Sequence, residues 1–180
     1  MNRKLIFRLI RYGAACLAAS ALLWSWIFTF LTDAPPENKI TLYADMKSFR
    51  WKELAIALEE EAPEGIRFVQ VHPFSYALMN SEGLKQADLY IMTPAQAEEH
   101  REWIGPMPGN PEAGGDKLPE GLLLYNAENG EGAAGSYLNY GEQPGENWYL
   151  FFGRQSLHTG EQDLAAEEIA RGLIRLPSVQ

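Results

Sequence analysis

One cysteine in 180 residues, Cys16, excludes a disulfide within the chain and leaves everything after residue 32 without thiol chemistry. Histidine is almost as scarce: His72, His100 and His158 share no HExxH or other short ligand spacing, so no metal site is expected. His100 falls on one helix face with Ala97 and Ile104 and reads as structural. There is no GxxxxGK[ST] loop to cradle phosphates, and Gly130-Glu131-Gly132 is too little for a dinucleotide fingerprint. Ser156, His158 and Asp163 are the residue types of a hydrolytic triad, but they crowd into a short segment without a GxSxG elbow. A non-enzymatic protein without a cofactor is therefore expected. Basic residues also run out early. With four of the 15 Lys and Arg before position 12, 11 remain against 24 Asp and Glu, a net −13 that excludes a nucleic-acid footprint.

Charge is missing altogether between Arg11 and Asp33. Residues 12–32 form a run that as a helix covers roughly 30 Å at about 1.5 Å per residue, the thickness of a bilayer's hydrocarbon core. A transmembrane anchor is expected there. Arg3, Lys4, Arg8 and Arg11 precede the run with no acidic residue among them, so 1–11 reads as a cytoplasmic basic leader and the C-terminal part as extracytoplasmic. The run is longer than the roughly 7–15 residues of a signal-peptide core. Pro35 also follows the best small-residue site, Thr32-Asp33-Ala34, so an uncleaved signal-anchor in the cell membrane is expected. Residues 33–39 then make a short tether, extended by Pro35-Pro36, and 40–180 are long enough for one domain with a hydrophobic core.

That domain opens with a near-continuous apolar run at 40–44 (ITLYA), as in a strand buried on both faces. Trp51, Leu54, Ala55, Leu58 and Ala62 recur at spacings of three and four, predicting a helix over 48–62 that Pro63 and Gly65 stop. A strand at 66–71, a short helical piece at 74–80 and a strand at 87–92 follow. Thr93-Pro94-Ala95-Gln96 is a capping box with proline at the first helical position, starting a helix that runs to about Trp103. This alternation predicts a three-layer α/β fold with a mainly parallel, mixed sheet. Strands 66–71 and 87–92 should flank 40–44, with Leu42 and Tyr43 on opposite faces. Residues 105–121 carry too many glycines and prolines for a regular element. Strands are expected at 122–125 and 137–140 about a turn at Asn129-Gly130, then at 148–152 (WYLFF), with a last helix over 162–176.

The run KITLYADMKSFRWKELAIALEEEAPEGIRFVQV, followed by ADLYIMTPAQAEE, resembles the opening lobe of extracellular solute-binding proteins, the type 2 periplasmic-binding-protein architecture. The ending YLFFGRQSLHTG with its Ala/Glu-rich helix resembles the tail of small anchored bacterial proteins related to that group. Such proteins close two lobes over a ligand and need about twice this length, so a single lobe is expected. The resemblance implies recognition of a small molecule or peptide. The competing expectation is an accessory domain for a neighbouring membrane protein, with no ligand of its own. In an open parallel sheet ligands bind beyond the carboxyl ends of the strands. That places the candidate site at Asp45, Lys47 and Ser48 after the first strand, His72 and Ser75 after the second, and Thr93 and Gln96 after the third. Helix starts at Ser48 and Thr93 would offer backbone N–H groups to an anion.

Overall fold

The computed structural model describes residues 3–32, 35–75, 81–108, 118–159 and 163–178, with side chains in the first helix described from Arg11 to Ile27. The chain divides into two compact units, Met1–Pro35 and Pro36–Gln180. The first is the helix α1, Arg3–Thr32, which contains the uncharged stretch. Among the described residues, however, no helix is long and apolar enough to cross a membrane. This overturns the expected transmembrane anchor, and with it the signal-anchor role, the cytoplasmic N-terminus, the extracytoplasmic domain and the cell-membrane localisation built on it.

The second unit is α/β. A short 3₁₀ turn, Pro36–Asn38, leads into β1, Lys39–Ala44, where an extended tether was expected to end. There follow α2 (Trp51–Glu60), β2 (Phe68–Pro73), α3 (Glu82–Lys85), β3 (Leu89–Met92) and α4 (Pro94–Glu99). The second half contributes β4 (Leu122–Asn126), β5 (Glu131–Gly132), β6 (Trp148–Phe152) and α5 (Ala165–Arg175). These strands make one sheet in the order β2-β1-β3-β6-β4-β5. β1 lies between β2 and β3 and runs parallel to both, as the alternation of the first half predicts. The three remaining pairings, β3 with β6, β6 with β4 and β4 with β5, are antiparallel. The sheet is thus mixed rather than mainly parallel, because no crossover helix separates the strands that follow α4.

Pleating sends Ile40, Leu42 and Ala44 into one core and Tyr43 into the other. On the first face α2 contributes Leu54 and Leu58, and α5 contributes Ala166, Ile169, Ala170 and Leu173. On the second, Leu84 of α3 and Ala97 of α4 pack with Tyr90, Met92, Trp103, Ile104 and Phe151. Each fully buried aliphatic side chain contributes roughly 1.5–3 kcal/mol. Three layers result.

Local differences have local causes. α2 starts at Trp51 rather than 48, because the backbone N–H groups of Lys47 and Ser48 are held by Glu142. β2 begins two residues late, because Ile66 N–H turns back to Pro63. Of the helical piece expected over 74–80, residues 76–80 lie outside the described residues, while Phe74 and Ser75 are not helical. A helix forms instead at α3, where the Ser81 hydroxyl accepts from Leu84 N–H at 3.3 Å. Residues 137–140 form a turn leading into a 3₁₀ helix, not a strand, and β5 takes their place in the hairpin around Asn129-Gly130. Residues 109–117 of the expected loop lie outside the described residues.

Candidate functional site

At the carboxyl edge of β1 and β3 the chain largely satisfies itself. The carboxylate of Glu142 accepts from Lys47 N–H at 2.6 Å and Ser48 N–H at 2.5 Å, so the backbone donors expected to meet an anion already hold one. Thr93 and Gln96 close their capping box on each other. Thr93 N–H donates to Gln96 Oε1 at 2.7 Å, and Gln96 N–H donates to Thr93 Oγ1 at 3.5 Å. Gln96 Nε2 reaches the Asp45 carbonyl at 3.4 Å. Asp45, Thr93 and Gln96 are therefore brought together. His72 packs instead against the Tyr43 ring, with centroids 5.3 Å apart. No hydrogen bond among the described residues links His72 or Ser75 to that group.

Two groups at this edge stand out. Asp45 Oδ2 and His100 Nε2 are buried without a hydrogen-bond partner. Burial pushes the Asp45 carboxyl up, His100 pulls it back, and Glu99 and Glu142 add to the rise. His100, 2% exposed, stacks on Phe74 and on Trp103 at centroid distances of 5.2 and 4.3 Å, the three rings forming one cluster. His72 is pushed down by burial and by Lys39.

The opposite edge holds a cleft of about 460 Å³. Its floor is Thr41 of β1 and Asp88, the residue before β3; its walls are Lys39, Gly83 and Gln86 around α3, and Gln155, Leu157 and His158 after β6. Asp88 is 4% exposed and fully engaged: Ser156 Oγ donates to Oδ1 at 2.5 Å, and Thr41 N–H donates to Oδ2 at 2.7 Å. Burial nevertheless pushes its carboxyl up, more than these hydrogen bonds and the nearby His158 pull it down. His158, 1% exposed, faces Asp163 Oδ2 through Nδ1 at 2.8 Å and the Pro36 carbonyl through Nε2 at 3.1 Å. The Pro36 carbonyl can only accept, so Nε2 carries a proton, and when Nδ1 is protonated as well the imidazolium is clasped between that carbonyl and the Asp163 carboxylate. Burial pulls its pKa down, but Pro36, Asp163 and Asp88 together outweigh that and leave it raised.

Ser156 thus gives its proton to Asp88, not to His158, and the three residue types of a triad do not form one. Among the described residues no group of three or more His, Cys, Asp and Glu side chains could hold a metal ion. Comparison with protein-family models, with curated proteins and with solved structures finds no match to this chain. Sequence reasoning placed candidate residues on the carboxyl edge and missed Asp88, Lys39 and Glu142. The contacts of Asp88 with Ser156 and of Glu142 with Lys47 span 68 and 95 positions, and no local spacing encodes them.

Proposed function

We propose that the α/β unit is a non-enzymatic recognition domain of solute-binding kind that takes a small polar molecule, or the end of a short peptide, into the cleft between β1, α3 and the loop after β6. The supporting observation is the cleft itself. At about 460 Å³ it lies within the roughly 300–1,000 Å³ of small-ligand sites, and rigid elements frame it on three sides. Ser156 and His158 are spent on fixing its walls, which favours binding over chemistry. One open side implies weak affinity, about 0.1–1 mM.

Gly83 gives the test. A Cβ built there meets nothing within 4 Å, so Gly83→Phe can fill the cleft without touching the core. Small polar compounds that raise the unfolding temperature of the full chain should lose that effect in the variant, whose own unfolding temperature in buffer stays near wild type. Ligand-induced stabilisation that survives Gly83→Phe contradicts the assignment. A second reading, a docking domain for a partner protein, is favoured by the open groove between the β4–β5 hairpin and the end of α5, where Leu123 and Ile174 are 47% and 43% exposed. Phe74 and Trp103, by contrast, pack together in the second core.

A further inference from the structure

We infer that the cleft selects an anionic small molecule, a carboxylate or a phosphate, and that Lys39 is the residue that sets this preference. This rests on the recognition role proposed above. Asp88, the one carboxylate among the described residues that line the cleft, is already occupied by internal donors, Ser156 and Thr41, and Asp163 behind His158 is held by that ring and by Ala165 N–H at 3.0 Å. Both ring nitrogens of His158 are engaged, Nδ1 with Asp163 and Nε2 with Pro36. Among the described residues, no hydrogen bond or ion pair engages the Lys39 ammonium, the Thr41 hydroxyl or the side-chain amides of Gln86 and Gln155.

Among the described lining residues the uncommitted groups are therefore one full positive charge and several neutral donors, with no uncommitted carboxylate. A ligand that meets them best brings acceptors and negative charge. A cationic ligand would meet Lys39 without compensation. The chain as a whole is acidic, with a net charge of −9, so anions are repelled in general and the lysine in a concave site supplies the local exception. Lys39 is half-buried at the start of β1, which holds its stem while the head can reach the opening.

Isothermal calorimetry on the full chain tests this with four probes: succinate, inorganic phosphate, the neutral isostere succinamide and the dication putrescine. Succinate or phosphate should bind, with succinamide at least about tenfold weaker and putrescine silent. The better of the two anions identifies the ligand chemistry as carboxylate or phosphate. Lys39→Gln should weaken the anion by about tenfold or more, and Lys39→Arg should restore most of the loss. Equal binding of succinamide, tighter binding of putrescine, or anion affinity unchanged in Lys39→Gln overturns the anionic class. If those heats still vanish in Gly83→Phe, the recognition site itself stands. If no probe gives a heat sensitive to Gly83→Phe up to about 10 mM, both inferences fall.

Discussion

His158 is held on one side by Asp163 and on the other by Pro36, so it ties the start of the α/β unit to the segment that leads into α5. Its folded pKa is raised above the ordinary imidazole value. The clasp therefore contributes its full stability below about pH 6.5 and loses it as pH rises through the folded pKa. His158→Gln should cost about 1.5–3 kcal/mol at pH 5.5, the range for hydrogen bonds to a charged group, and the gap to wild type should narrow toward pH 9. Urea titrations of both proteins at several pH values measure it. A gap that stays constant from pH 5.5 to 9 would show that the ring is not an imidazolium in the folded state. Asp88, whose carboxyl is also raised, and His72, whose pKa is lowered, titrate in both proteins and largely cancel in the difference.

At the scale of elements, the wall of the cleft depends on how β6 ends. Gly153 N–H donates to the Asp88 carbonyl at 2.8 Å, Gly105 N–H to Phe152 at 2.8 Å and Arg154 N–H to Trp103 at 2.7 Å, so three segments meet at one point. A Cβ on Gly153 would stand 1.8 Å from the Ala87 carbonyl oxygen, and backbone cannot yield as a side-chain tip can. Gly153→Ala should destabilise the unit by about 3 kcal/mol or more, read as a lower midpoint in denaturant. A change below about 0.5 kcal/mol would mean that the strand end is not so tightly joined. The elements most legible in the sequence were those whose signals are local. β1 and β3 are apolar runs, β6 is a dense aromatic run, and the Thr93 capping box starts α4 as its residues require. The end of β6, the capture of Lys47 and Ser48 by Glu142, and the helix at Glu82–Lys85 depend on contacts far apart in sequence or on weak propensity, and were not legible.

Over the whole molecule the same division holds. The parallel β2-β1-β3 core follows from alternating strands and helices, whereas in the antiparallel half the turn at Asn129-Gly130 announces only a hairpin, and the pairings of β6 with β3 and β4 have no local pattern. The stretch without charge was a true signal for a long helix, but among the described residues no helix is long and apolar enough to cross a membrane. The candidate residues on the carboxyl edge follow the rule for open parallel sheets, but half of this sheet is antiparallel, and many of the polar groups on that edge close on one another. The cleft lies at the other edge, where Asp88, Ser156 and His158 build walls and leave Lys39, Thr41, Gln86 and Gln155 facing it.

The most direct measurement is an amide shift map of the ¹⁵N-labelled chain titrated with succinate and with phosphate to about 10 mM, roughly ten times a millimolar Kd and so enough to come close to saturating the site. The account predicts perturbations centred on Thr41, Gln86, Asp88, Gln155 and His158, saturating together. Perturbations centred on Asp45, His72 and Thr93, or none at all, would contradict it.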